Sequence, residues 1–402
     1  MTYLNRQENL DWLWQWKDQP LLKVVTGVRR CGKTALFSMF QDALLEQGTE
    51  KKQIISMDLE SPDFDNLTDF QALNQYLEKQ ISPQQKYYVF LNELHHVQVW
   101  ERSAAWLLSL GNCDVYVSMS CNWECSEKEK SLLGKEAVCL ELFPLSFREF
   151  QGHQDQGGET ASPAEAFEKY LSDSSFPYVV RHDYSGQEAA EYLSGLYYTI
   201  MLNDVVKRQK VADAGMLEAI ARLLMTEMGN RTSPAAIANA LTAKGQKIDQ
   251  KTVDRYLHGL TESRLFYEVR RYHIKNRQLL TTMNKFYLCD PAFGNMLVKS
   301  GEKRKASILE NVVFLELKRR YPEVYNGQLG ASGEIDFVAL RNGRPVYFQV
   351  AESTADEKDL LEKLTPLQQI RDNYPKYLLT MDEGEEDFDG ILRLNILQWL
   401  VE

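Results

Sequence analysis

Directly after the apolar run Leu21-Leu22-Lys23-Val24-Val25, the chain reads Gly27-Val28-Arg29-Arg30-Cys31-Gly32-Lys33-Thr34, and an apolar period resumes at Leu36. This is the complete pattern G-x-x-x-x-G-K-T between a strand-like run and a helix. A strand that ends in a glycine-permitted loop and turns into a helix aims backbone N–H groups and the helix N-terminus at an anion. In that arrangement Lys33 reaches the β and γ phosphates of a nucleoside triphosphate and the Thr34 hydroxyl ligates Mg²⁺. Leu36, Met39, Phe40, Ala43 and Leu44 follow at helical spacing, with Gly48 as a stop. The residues expected around the phosphates are therefore Gly27, Val28, Arg29, Arg30, Cys31, Gly32, Lys33, Thr34 and Ala35. A chance glycine turn before a buried helix would require all four motif positions and both flanks to match without cause.

The rest of the composition restricts the setting. With 402 residues, 44% of them hydrophobic and 26% charged, the chain is long enough for two to four domains with real cores. Its apolar runs, such as Tyr87 to Leu91, are strand-sized, and MTYLNRQENL at the start has no apolar signal core, so no membrane segment is expected. Six cysteines (31, 113, 121, 125, 139, 289) lack tight metal spacing and read as reduced, buried thiols of a cytoplasmic protein. Cys121 and Cys125 with His95 and His96 lack the frame of a zinc site. The net charge of −11 argues against general nucleic-acid coating and confines any such contact to a local basic face.

Up to about residue 150, short apolar runs alternate with helical periods. Ile54 to Leu59, Tyr87 to Leu91, Asp114 to Ser118 and Val138 to Leu142 read as further strands, which gives an α/β fold with a parallel sheet covered by helices. The polar stretch Gly152 to Ala161 reads as a boundary or surface loop. Ser162-Pro163-Ala164-Glu165 then opens a helix with a capping box, and the pattern stays helical to about residue 228. The acidic run Asp382 to Asp389 reads as a solvated loop.

A triphosphate site needs an acidic pair at the end of a neighbouring strand, one carboxylate beside Mg²⁺ and one to activate water. The segment Tyr87-Tyr88-Val89-Phe90-Leu91-Asn92-Glu93 supplies Glu93 as the base but Asn92 on the metal side. A carboxylate a few ångströms from a dication contributes several kcal/mol at an effective dielectric of about 20, so the neutral amide predicts weaker metal binding and slower chemistry. Ser118, Ser120 and Asn122 lie where a polar residue senses the γ-phosphate, and Asn122 is the preferred candidate.

These segments, with Leu142-Phe143-Pro144-Leu145-Ser146-Phe147-Arg148-Glu149-Phe150, Ser174-Ser175-Phe176-Pro177, Asn203-Asp204-Val205-Val206-Lys207-Arg208 and Gly333-Glu334-Ile335-Asp336-Phe337, occur in one order along nearly the whole chain. As a set they resemble the prokaryotic AAA-superfamily ATPases with a C-terminal domain of unknown function. The resemblance implies a P-loop core over 1–155 with an additional strand between the two Walker strands. It further implies a helical lid over 156–228, a winged helix over 229–290, and a small α/β domain over 291–402 similar to the PD-(D/E)XK nucleases. It implies a finger position at Lys135, where the family carries arginine, and a nucleotide-contacting lid proline at Pro177. Lysine keeps the charge but loses the planar fork of arginine. Asn92, Lys135 and the Ser-Ser form of the lid motif therefore predict an ATP- and Mg²⁺-binding switch with weak or impaired hydrolysis.

Residues 231–285 read independently as a winged helix-turn-helix. Ser233-Pro234 starts one short helix, Asp249 caps a second, and strand-like Leu265 to Ile274 and Lys285 to Leu288 follow. Lys244, Lys247, Lys251, Arg255, Arg270, Arg271, Lys275, Arg277 and Lys285 read as its exposed basic residues, suited either to DNA phosphates or to a protein-contact role. In that alternative the protein is a DNA-binding regulatory or mobile-element factor with ATP as a structural ligand. In the C-terminal domain a nuclease needs a helix glutamate, a strand aspartate and (D/E)-x-K. The matching residues are Glu310, Asp336 and Gln349-Val350-Ala351, so the last triplet lacks both the acid and the lysine and no strand cleavage is expected. The sequence leaves open whether Lys135 acts in cis or across a subunit interface, so an oligomer is allowed.

Overall fold

The computed structural model describes residues 3–122, 137–156, 162–297, 302–330 and 333–402. Its contacts divide the chain into a first unit, Met1–Pro144, and a second, Leu145–Glu402. In the first unit the elements run α1 (Gln7–Trp16), β1 (Leu22–Thr26), α2 (Lys33–Glu46), β2 (Ile54–Asp58), α3 (Phe70–Glu78), β3 (Tyr87–Asn92), α4 (Trp100–Ser109), β4 (Cys113–Met119) and β5 (Ala137–Glu141). All five strands are parallel, in the order β2-β3-β4-β1-β5. β4 is the additional strand between β1 and β3, and the strand ends that carry Thr26, Asn92 and Met119 lie at one edge of the sheet.

Each face of that sheet is sealed differently. On one, Phe37 and Phe40 of α2 meet Phe90 and Tyr116, whose rings stack with centroids 4.8 Å apart. The other packs Val89, Leu91, Val115 and Val117 against Leu73, Leu77, Trp100 and Leu107 of α3 and α4. Lys23, inside the apolar run of β1, is fully buried. Its ammonium is satisfied by the carboxylate of Asp114 in β4 and by the Gln19 carbonyl. A buried ammonium requires such a partner.

The second unit opens with α5 (Phe147–Gln156), α6 (Pro163–Ser172), α7 (Pro177–Arg181), α8 (Gly186–Thr199), a π-helical segment Ile200–Lys207, and α9 (Ala214–Thr226). The stretch from Gly152 to Gln156, expected as loop, is the end of α5. That helix is fixed by a reciprocal cap between Ser146 and Glu149 and by Phe147 and Phe150 packing edge-on to Tyr170. The capping box at Ser162 and Glu165 forms as its residues predict.

Next come α10 (Pro234–Ala243), α11 (Gln250–Glu262), the hairpin β6 (Phe266–His273) and β7 (Gln278–Leu288), and α12 (Ala292–Leu297). The chain continues as α13 (Glu302–Arg320), β8 (Glu323–Leu329), β9 (Gly333–Arg341), β10 (Arg344–Val350), α14 (Glu357–Gln368), β11 (Lys376–Thr380), β12 (Glu386–Asp387), β13 (Ile391–Asn395) and α15 (Ile396–Val401). One eight-stranded sheet, β12-β13-β11-β10-β9-β8-β6-β7, joins the hairpin to the C-terminal strands. The acidic run is only partly a solvated loop. Asp382 accepts hydrogen bonds from Ser353 and Thr354, and Glu386–Asp387 forms an edge strand.

Candidate nucleotide site

The loop between β1 and α2 is set by backbone conformations that few residues adopt. Gly27 has φ 153° and Gly32 has φ 112°, both in the region that favours glycine. A Cβ at Gly27 would sit 2.2 Å from the Leu142 carbonyl oxygen, so the loop closes directly onto the chain leaving β5. Buried Arg6 ties the two together from behind, donating to the carbonyls of Cys31 at 3.1 Å and Phe143 at 2.9 Å. The helix α2 begins at Lys33 behind Gly32, which has no side chain to cap it. Its first amides thus offer an anion the positive end of the helix dipole, a donor set that fits a phosphate chain. Thr34 and Ala35 are exposed at that helix start.

Lys33 is buried, and its ammonium lies 3.0 and 3.2 Å from the carbonyls of Gly27 and Val28 and 2.8 Å from Ser120 Oγ. Glu93 Oε1 lies 3.4 Å away. Both Glu93 oxygens are engaged: Ser120 Oγ–H donates to Oε1 at 2.7 Å and Ser120 N–H to Oε2 at 2.9 Å. His95 Nδ1 is 3.5 Å from Oε2. Burial pushes the Glu93 carboxyl up, but Lys33, His95, Ser120 and Arg29 together outweigh it and bring the carboxyl down to about 2. Burial alone would lower Lys33, and the Glu93 carboxylate instead holds it above its ordinary value. Next to this pair, Asn92 Oδ1 accepts from Ser118 Oγ–H at 3.0 Å, and Asn92 is itself buried.

The structure thus gathers Gly27 to Ala35, Asn92 and Glu93 at one sheet edge. Of the three polar candidates around the end of β4, Ser118 and Ser120 make the contacts to Asn92 and Glu93, while Asn122 is half-buried beyond them. Lys135 and Cys125 lie outside the described residues, and Pro177 opens α7 in the second unit. Two residues of the site carry no sequence motif. They are Arg6 and Glu60, whose carboxylate lies 2.6 Å from Arg29 Nη1. Of the thiols, Cys31, Cys121 and Cys289 are buried, whereas Cys139 is exposed because β5 is an edge strand.

In the second unit, Ser233 and Asp249 cap their helices as expected. The basic surface is smaller than expected. Lys285 is not exposed but buried, 2.7 Å from Glu310 Oε1 and 2.9 Å from Glu334 Oε1. Arg271 turns inward to Gln328 at 2.9 Å, and Arg231 reaches Asn326, Gln328 and Glu334. The block-wise burial of β7 accounts for this, since Lys285 follows an exposed stretch and begins the strand end that is buried on both sides. Glu310 of α13 and Asp336 of β9 lie close enough to act on each other and on Lys285, and a second lysine reaches Asp336 from α14. Lys363 of α14 lies 3.0 Å from Asp336 Oδ2, which also accepts from Val350 N–H at 2.9 Å. With Lys285 on Glu310 and Glu334, Arg231 on Glu334 and Lys363 on Asp336, the three carboxylates face three cations of the chain itself. Among the described residues no group of three or more His, Cys, Asp or Glu is placed to hold a metal ion. No described helix is long and apolar enough to cross a membrane.

Comparison with known proteins agrees with this architecture. Residues 19–151 match the AAA_14 family, described as an AAA domain, and residues 164–304 match a domain of unknown function, DUF8612. An uncharacterized protein of Haemophilus influenzae is 31% identical over 405 aligned positions, covering 99% of each chain. The uncharacterized protein MJ1544 of Methanocaldococcus jannaschii is 27% identical, over 74% of this chain and 67% of its own. Among solved structures, the Walker-type ATPase paby2304 of Pyrococcus abyssi is similar with a TM-score of 0.53 and 16% identity, over 73% of this chain and 95% of its own. That likeness is one of fold.

Proposed function

The chain belongs to one family with the Haemophilus influenzae protein and carries an AAA domain of the P-loop ATPase type, and from that premise we propose that it is a nucleotide-dependent switch with slow ATP hydrolysis. Gly27 to Ala35 hold the phosphates through main-chain amides and Lys33, and Thr34 and Asn92 stand on the metal side. Bound Mg²⁺ supplies charge neutralisation for phosphoryl transfer. Slow turnover is carried by one observation: the metal-side position beside Glu93 is the buried neutral amide of Asn92, whose Oδ1 is taken up by the Ser118 hydroxyl. Asn122, Lys135 and Pro177 remain the sensor, finger and lid residues of this reading. Steady-state phosphate release tests it. Asn92→Asp should raise the rate by about tenfold or more, equivalent to about 1.4 kcal/mol of barrier, and an unchanged or lower rate would remove Asn92 as the cause.

The second unit is proposed to transmit the switch. Two capped helices and a hairpin, α10 to β7, support the winged-helix reading, and the succession α13-β8-β9-β10-α14-β11 supports a nuclease-like domain. Pairing of Glu310, Glu334 and Asp336 with Lys285, Arg231 and Lys363 supports a non-catalytic role for it. A DNA contact would rest on the basic residues that stay exposed, Lys244, Lys247, Lys251, Arg255, Arg270, Lys275 and Arg277.

A further inference from the structure

We propose that Ser120 is a positioning residue that locks Lys33 and Glu93 into a resting pair, which an arriving nucleoside triphosphate must open. The inference rests on the nucleotide reading of the loop and adds to it which contact of the empty site an arriving phosphate must displace.

An ammonium has three N–H donors. In Lys33 they face Gly27 O, Val28 O and Ser120 Oγ, at 3.0, 3.2 and 2.8 Å, so all three positions are filled by the protein. A triphosphate that takes hydrogen bonds from Lys33 must displace at least one of them. The loop carbonyls move with the loop, whereas Ser120 belongs to the chain leaving β4. The Ser120 contact is the one that lies outside the cradle.

Ser120 also acts on the other partner. Its hydroxyl accepts from Lys33 while donating to Glu93 Oε1 at 2.7 Å, and its own N–H fixes Oε2 at 2.9 Å. One residue therefore bridges both charges and satisfies both carboxylate oxygens. Position 120 continues the alternation of Tyr116 and Ser118 along β4, all buried and on the α2 side of the sheet. Glu93 adopts φ 53°, a left-handed conformation uncommon for a non-glycine residue, which turns its side chain back toward this pair. When Lys33 moves onto phosphate, Glu93 loses its nearest cation.

The test is calorimetric titration of magnesium AMP-PNP into the wild type, Ser120→Ala and Ser120→Thr. Removing the hydroxyl should tighten binding by about threefold to tenfold, the range expected for one or two hydrogen bonds no longer broken on entry. Threonine, which keeps the hydroxyl, should restore the wild-type affinity. A wild type that binds while Ser120→Ala binds equally or more weakly would overturn the lock and leave the nucleotide reading standing. A wild type that fails to bind at millimolar analogue would overturn both. If Ser120→Ala lost its fold by circular dichroism, Ser120→Cys, close in volume and a weak donor, would be titrated instead, with the same directions expected.

Discussion

Replacing Glu93 with glutamine should remove a specific part of the protein's acid sensitivity. Burial raises this carboxyl, but Lys33, His95, Ser120 and Arg29 lower it more, so it falls from its ordinary 4.5 to about 2 in the folded chain. A group depressed by folding stabilises above its unfolded value and loses that contribution as pH falls through its folded one. The full contribution at neutral pH is about 3 kcal/mol, and about 2 kcal/mol of it is gone by about pH 3. Equilibrium urea unfolding of wild type and Glu93→Gln, each at neutral pH and at about pH 3, measures it. Titrating groups that do not touch Glu93 are shared, so the difference between the proteins reports this carboxylate together with its contacts to Lys33 and His95. The wild type should lose about 2 kcal/mol more than the variant over that interval. Equal losses would refute the ion pair as the source of the depression.

Two further substitutions probe the supporting structure. Gly27→Ala places a methyl 2.2 Å from the Leu142 carbonyl, and should lower stability by about 2 kcal/mol or more, read as a fall in Tm together with loss of nucleotide binding. Lys285→Met leaves Glu310 and Glu334 without their shared cation and should cost about 3–5 kcal/mol in denaturant unfolding. Adding Glu310→Gln to Lys285→Met should recover part of that loss, and full additivity would argue against the pair.

The parts of the fold that were legible in the sequence are those written locally. The loop from Gly27 to Thr34 specifies its own strand and helix, and four apolar runs mark the remaining parallel strands. Capping residues Ser162, Ser233 and Asp249 mark helix starts because the cap is a contact within three residues. What stayed hidden is set by pairs distant in sequence. Lys285 reads as a solvated wing residue until Glu310 and Glu334 come to it across the fold. Lys363 carries no motif, yet it approaches Asp336 from α14 where the strand triplet has no lysine. Arg6 has no signal at all in the sequence, since its partners are carbonyls more than twenty positions away. Ser120 and Asn122 are equivalent as loop polarity, and only the alternation along β4 separates them. The stretch from Gly152 misled for the opposite reason, because its polar composition gave no sign of the aromatic anchors of α5 that precede it.

Nucleotide binding depends most directly on the ammonium of Lys33 and the amides around it. Calorimetric titration of magnesium ATP into wild type and Lys33→Ala reads that claim in one experiment. Saturable binding by the wild type that weakens at least about tenfold in the variant, a difference of about 1.4 kcal/mol, is the predicted result. Heat no greater than dilution in the wild type, or the same affinity in both proteins, would contradict it.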